Sequence, residues 1–335
     1  MLHCQTFKQK IEELREDLIK RARYLENLLL EYKTTGSEEI AKQFERELER
    51  VLKEIEEFKK EFKNKATQLI EEFIQRRDNK GDRVEIIFDE KDLRFIIEGD
   101  LYFDTRRDLN DFPNLIKEIG GLRVMNVNSL DLPQLKKAGI ISAANTQIIN
   151  LINIEEIGKI YAPNAPILNL PKLKKAENID ANNAQIFDLS QLKKARGIYL
   201  NAVRILDLPN IEEAEEINAD SAQVVNLPQL KKVKNISIPN TIVFYLPNLE
   251  EAEKIYVPEA QIIDLPKLKK ALSIYAPDIH TLNLPNIQDL GNIYFSENIP
   301  NLELFINKAR EWKARGILKG SIYKRTKEGE FIIVS

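Results

Sequence analysis

The chain is poor in the residues that carry most enzymatic and metal chemistry. Of its 335 residues one is cysteine, two are histidine, two are methionine and one is tryptophan. A lone Cys4 excludes an intramolecular disulfide and any thiolate-cluster metal site. His3 and His280 leave little for general-base or metal-ligand work. Long apolar runs are missing too, so no transmembrane helix is expected and membrane insertion is not assigned. Met1–Lys10 lacks the apolar core of a signal peptide, which makes cytoplasmic the default location and leaves export without a cleaved signal open. Net charge is small: 50 Lys+Arg against 53 Asp+Glu gives −3, which argues against a nucleic-acid partner held by bulk positive charge. There is no Ser/His/Asp or Cys/His set, no glycine-rich phosphate loop and no metal-ligand spacing. The sequence therefore assigns no catalytic residue, no metal and no cofactor, and reads as non-enzymatic.

Proline is absent from residues 1–80, where Gly36 is the sole glycine, although the chain holds 14 prolines and 12 glycines. That segment carries 18 basic and 18 acidic residues, a helix-former's composition without net charge. Ile11, Leu14, Leu18, Leu25, Leu28 and Tyr32 fall on one helical seam. Phe44, Leu48, Val51, Ile55, Phe58, Phe62, Leu69 and Phe73 fall on a second, with the three- and four-residue steps of a coiled coil. Between them Gly36 suits a helix end and Ser37-Glu38-Glu39 a helix start. The short link predicts an antiparallel helical hairpin. Its seam either caps the next domain or, through the bulky Phe44, Phe58, Phe62 and Phe73, drives oligomerisation or partner docking.

Beyond residue 112 a repeat takes over. The pattern L-P-x-L-K-K-A-x-x-I-x-A-x-x-A-x-I-x-x recurs every 19 residues, led by Leu132, Leu151, Leu170, Leu189, Leu208, Leu227, Leu246, Leu265 and Leu284. Phe112-Pro113 begins a looser copy, and Ala314 and Ile317 resume the phase after a helical stretch, Leu302–Lys313. Nine after each leading Leu stands Ile, six after mostly Ala, and eleven after a small or branched apolar residue. Ile followed two residues on by another apolar position is the inward alternation of a short strand. One strand per coil stacks into a parallel sheet. Leu-Pro starts an extended return leg, because proline fixes φ and has no N–H to give a ladder. Nineteen residues leave no room for a full helix on that leg.

Written from the strand, A-x-x-I-x-A-x-x-A-x-I-x-x-L-P-x-L resembles the leucine-rich repeat, most closely its short, Leu-Pro-containing bacterial class, over Phe112 to Ile322. Bacterial effectors of that class also place a helical hairpin before the repeats. The resemblance implies an α/β repeat solenoid, a leucine-rich-repeat-like parallel sheet of 19-residue coils with an extended convex side, and a protein-binding concave face. Where the family keeps an inward Asn, this chain has Thr146, Ala165, Ala184, Val203, Ala222, Thr241, Ala260, Ile279 and Asn298. The turn must then be held by packing and by the preceding residue, often Asn145, Asn164, Asn183 or Asn240. Some relatives in that class carry a ubiquitin-ligase domain with a catalytic Cys behind the repeats; Cys4 is in the wrong place, and that activity is not carried over.

The expected organisation is a hairpin over 1–80, a connector with two capping strands over 81–111, the solenoid over 112–301 and a C-terminal cap of helix and strands over 302–335. Paired charges four and five after the leading Leu alternate between Lys-Lys and Glu-Glu, except where Lys174-Lys175 meets Lys193-Lys194, and predict an ion-pair ladder between coils. Ten after the leading Leu, the outward strand position holds Ser142, Tyr161, Asp180, Tyr199, Asn218, Ser237, Tyr256, Tyr275 and Tyr294. Two further on lie Asn182, Asn201 and Asp220, then Pro239, Pro258 and Pro277. Aromatic anchors beside polar groups are what interfaces favour, although tyrosine also suits a strand and stacks on itself. The function read from these residues is a scaffold that binds a protein or peptide partner on Tyr161, Asp180, Asn182, Tyr199, Asn201, Asn218, Asp220, Tyr256, Tyr275 and Tyr294. The alternative is an assembly protein that forms a homo-oligomer through the hairpin, with the repeats as a spacer.

Overall fold

A computed structural model describes residues 16–17, 19–31, 33, 38–75, 83–89, 94–104, 116–326 and 331–333. The chain divides into two compact units, the smaller of 1–76, 86–96 and 111–115 and the larger of 77–85, 97–110 and 116–335. The smaller unit thus takes in part of the stretch assigned above to a connector.

The smaller unit is built on a long helix, α1 (Glu38–Ile74), preceded by helical residues 19–31. The periodic apolar residues pack as their spacing requires. Ala22, Leu25 and Val51 are buried together, with Phe44, Leu48 and Ile55 against them. Salt bridges cross the same seam, from Arg21 to Glu47 and from Lys33 to Glu45 at 2.6 Å. Further along α1, Phe58 stacks on Phe62 at 6.3 Å, and Phe62 packs on Phe88 at 6.1 Å. Phe88 lies in the strand Glu85–Asp89 and meets Phe95 of the next strand, Arg94–Asp104, at 5.0 Å. Ile11, Leu14, Leu18, Tyr32 and the turn at Gly36-Ser37 lie outside the described residues.

The larger unit is a parallel β-solenoid of about 10 turns. Its long strands run from Ile116–Met125 to Asp289–Ser296 and pair in parallel, with partners 19 residues apart, such as Ala195 with Ala214 and Ile198 with Ile217. The return legs hold three-residue strands, from Ser129–Asp131 to Thr281–Asn283, in parallel ladders of four, two and three strands. A β-turn joins leg to leg at each end. The Leu135 N–H donates to the Leu132 carbonyl at 3.2 Å, and the Ala165 N–H to the Ala162 carbonyl at 3.2 Å. In the first of these turns Pro133 takes the second position, where a fixed φ is an advantage and no N–H is needed. The extended return leg is therefore a second sheet layer.

One coil shows how the core is filled. Leu208, Ile211, Ala214, Ile217, Ala219 and Ala222 are all at most 7% exposed. Ala214 and Ile217 both point inward though three apart, which simple alternation forbids. The register resolves the conflict: it pairs Glu213, Ala214, Glu216, Ile217 and Asn218 with the next coil and passes over Glu215. Two adjacent residues per coil therefore face outward. At this skipped position the backbones of the early coils approach so closely that a Cβ on Gly158 would lie 2.3 Å from the Gly139 carbonyl oxygen.

Side-chain ladders run between coils. Asn145 donates to Asn126 at 3.0 Å, Asn164 to Asn145 at 2.7 Å and Asn183 to Asn164 at 2.8 Å. Asn126 and Asn145 have φ of 58° and 59°, the left-handed region that asparagine tolerates. The preceding residue thus does hold these turns, on the surface rather than in the core. The charge ladder forms as well, with Lys174 to Glu155 at 2.7 Å, Lys194 to Glu213 at 3.0 Å, Lys231 to Glu212 at 3.1 Å and Lys269 to Glu250 at 2.6 Å. Lysine contact holds the carboxyls of Glu155, Glu212 and Glu250 below the ordinary glutamate range.

At the C-terminal end α2 (Leu302–Ala314) buries Phe305, Ile306, Ala309 and Trp312. The predicted phase through Ala314 and Ile317 does not hold. Ala314 closes the helix, Leu318 bridges to Leu290, and Ile322 takes the place opposite Ile293. The helix adds residues that a 19-residue period does not anticipate. Strand Ile322–Arg325 continues the parallel sheet, and Phe331–Ile333 pairs antiparallel with it.

Candidate partner-binding surface on the long-strand sheet

Parallel pairing in strict 19-residue register puts each outward residue beside its counterpart in the next coil. Tyr256 stacks on Tyr275 with ring centroids 4.8 Å apart, and Tyr275 meets Tyr294 at 5.8 Å. The row does not stop there. Tyr323, opposite Tyr294 in the cap strand, stacks on it at 4.5 Å. Sequence reasoning missed Tyr323 because α2 breaks the period. Its signal was Ile322-Tyr323, which repeats the Ile-Tyr of Ile274-Tyr275 and Ile293-Tyr294. Tyr256 is 44% exposed, and the other three are half-buried. Burial raises the phenols of Tyr275 and Tyr294 above their ordinary range, and Arg325 partly offsets this at Tyr275.

The middle of the same face is polar. Asp180 accepts from the Asn182 amide at 2.7 Å, and burial raises its carboxyl above the usual aspartate range. Tyr199 donates its hydroxyl to Glu216 at 2.6 Å, a partner that the sequence did not single out. That hydrogen bond, then burial and the Glu216 charge, push the phenol up to about 12. Its ring folds back over Gly197, where a Cβ would come within 2.7 Å of it. Asn201 accepts from the Asp220 N–H at 3.4 Å. Tyr161 is 48% exposed in the coil before Asp180. Asn218 is half-buried and Asp220 exposed. Between the polar middle and the tyrosine row lies an open hollow of about 400 Å³ lined by Glu216, Asn235, Ser237, Lys254 and Tyr256. Asn235 Oδ1 has no hydrogen-bond partner there.

The chain matches no protein-family model, no curated protein and no solved structure. The surface therefore speaks through its geometry alone.

Among the described residues no group of three His, Cys, Asp or Glu side chains could hold a metal ion. No helix among them is long and apolar enough to cross a membrane. Of the phenylalanines read as an oligomerisation set, Phe44 and Phe58 are half-buried, and Phe62 is 3% exposed within its own unit. The Phe73 side chain lies outside the described residues.

Proposed function

We propose that this protein is a non-enzymatic cytoplasmic scaffold that binds a protein or peptide partner on the long-strand sheet. The observation that carries the reading is the continuous row Tyr256, Tyr275, Tyr294 and Tyr323 beside a polar hollow. Ring-on-ring contact fixes each phenol before a partner arrives, so little side-chain entropy is lost on binding. The hydroxyls and the Asp180, Asn182, Asn201 and Asp220 groups then supply the directional contacts that select a partner. The leucine-rich-repeat likeness supports the same use, since that architecture presents a sheet face to its ligands.

The test is a quantitative pull-down from the source cells with the full chain, comparing wild type with Tyr256→Ala/Tyr275→Ala shown folded by circular dichroism. A partner retained by wild type and lost by the variant supports the reading. Equal retention of every partner removes it.

A second reading concerns the helical region. The contacts of Arg21 with Glu47 and Glu54, and of Lys33 with Glu45, favour an antiparallel hairpin, because the partner number falls as the residue number rises. Tyr24, Leu30 and Leu52, from 44% to 67% exposed, are the apolar surface through which such a hairpin would assemble.

A further inference from the structure

Sixteen residues after each leading Leu, the short strands turn a β-branched side chain to solvent. The row runs from Ile148 to Ile262 through seven consecutive coils, six of its residues exposed and Ile167 half-buried. Ile186 is 64% exposed, Ile205 57%, Val224 55% and Val243 49%. The core does not need them, since the next residue in each strand already points inward, fully buried in five of the seven coils, as at Leu206 and Phe244, and half-buried at Phe187 and Val225. Charged residues make up 31% of the chain, yet none stands in this row. The residues fifteen after the leading Leu, on one side of it, include Gln147, Gln185, Gln223 and Gln261. Those eighteen after, on the other side, include Asn150 and Asn226. At ~4.8 Å per coil the apolar row is about 29 Å long, and with its two rims about 20 Å wide, roughly 600 Å². Isolated apolar surface residues are ordinary, whereas a regular apolar row of this length matches the largest patches that monomers carry, which are often functional.

We propose that this band is the dimer interface of the protein, its occupant the same band of a second copy. The two solenoids run parallel about a two-fold axis along the row. That symmetry sets each coil against its own counterpart and puts the residue fifteen after the leading Leu opposite the partner's residue eighteen after. Four of the exceptions to the Gln and Asn rims then become complementary pairs, while Asp188 and Asp264 face Gln185 and Gln261 and Pro166 faces Asn169. Arg204 faces Asp207, and Ile242, 44% exposed, faces Tyr245, 48% exposed. Arg204 makes no ion pair within its own chain among the described residues, so its charge is unmatched until a partner brings the aspartate. An antiparallel pairing about the midpoint Ile205 sets Arg204 against Arg204 and Asp207 against Asp207, which like-charge repulsion disfavours. About 600 Å² per copy stands at the lower edge of what specific dimers bury, so the association is reversible. It uses the layer opposite the tyrosine row and is independent of partner binding there.

The experiment is sedimentation equilibrium of the full chain from ~1 to ~100 µM, a range suited to an interface of this size. Wild type is expected to approach twice 38.8 kDa, and Ile205→Lys/Val224→Lys to remain at 38.8 kDa with an unchanged circular dichroism spectrum. Arg204→Asp alone and Asp207→Arg alone each weaken the dimer about tenfold or more, and the double exchange restores it. In a Cys4→Ser background, Ile148→Cys cross-links to its own copy on mild oxidation, which only the parallel register allows. A wild type that stays monomeric overturns the proposal. So does a dimer that survives Ile205→Lys/Val224→Lys, since it forms elsewhere. Failure of the double exchange to rescue, or an Ile148→Cys chain that does not cross-link, overturns the parallel arrangement.

Discussion

Removing one ring from the tyrosine row tests whether its members act as neighbours in one stack. Tyr275 is an inner member, with Tyr256 at 4.8 Å on one side and Tyr294 at 5.8 Å on the other. Each such pair is worth about 0.5–1.5 kcal/mol beyond the area it buries. Tyr275→Ala forfeits two pairs, or about 1–3 kcal/mol, whereas Tyr256→Ala forfeits one. Tyr275→Phe keeps both ring contacts and removes only the hydroxyl, on which the Arg325 charge acts, so it costs at most about 1 kcal/mol. The expected order of destabilisation is therefore Tyr275→Ala first, with Tyr256→Ala and Tyr275→Phe well behind. Urea unfolding measures it with two probes. Circular dichroism follows the whole sheet, and fluorescence of the single Trp312, buried in α2, follows the C-terminal end. In a solenoid each coil touches only its neighbours, so the Trp312 transition should shift at least as far as the dichroism transition. A Tyr275→Ala cost no greater than that of Tyr256→Ala refutes the stack, because the rings then do not act as neighbours. It is refuted equally if Tyr275→Phe costs as much as Tyr275→Ala.

Two further outcomes are expected. The Tyr199 phenol, pushed up to about 12 by its bond to Glu216, titrates last in an absorbance titration at alkaline pH. Its folded value lies above the ordinary value of 10.0, so the stability it contributes is complete below pH 10 and is lost as pH rises from 10 to 12. Glu216→Gln should bring that step down, and a titration unchanged by it would show that the contact does not govern the phenol. Gly158→Ala places a methyl 2.3 Å from the Gly139 carbonyl oxygen and must displace backbone, so it should cost about 1–3 kcal/mol. Urea unfolding indistinguishable from wild type would mean that the coils do not approach this closely.

The smaller unit illustrates how far local pattern reaches. The seam of Phe44, Leu48, Val51, Ile55, Phe58 and Phe62 is legible from its three- and four-residue steps, and those residues do form the packed face of α1. That Phe62 would meet Phe88 is not legible, because Phe88 belongs to a strand that no period connects to the helix. Contacts between segments of different periodicity are set by the tertiary fold.

In the solenoid the 19-residue coil, the inward Leu, Ile and Ala, the extended proline-led return leg and the outward row through Tyr256, Tyr275 and Tyr294 all follow from residue order. A repeat makes neighbours in space out of residues one period apart, so register follows from sequence distance alone. Tertiary structure decided what the period does not encode. It joined Tyr323 to the row across α2, and it set Glu216 under the Tyr199 hydroxyl, 17 residues away rather than 19. It also placed the Ile148–Ile262 row on the solvent side of its strands. The pattern shows those isoleucines and valines to be regular, but only the path of the two turns decides which face of a three-residue strand meets water.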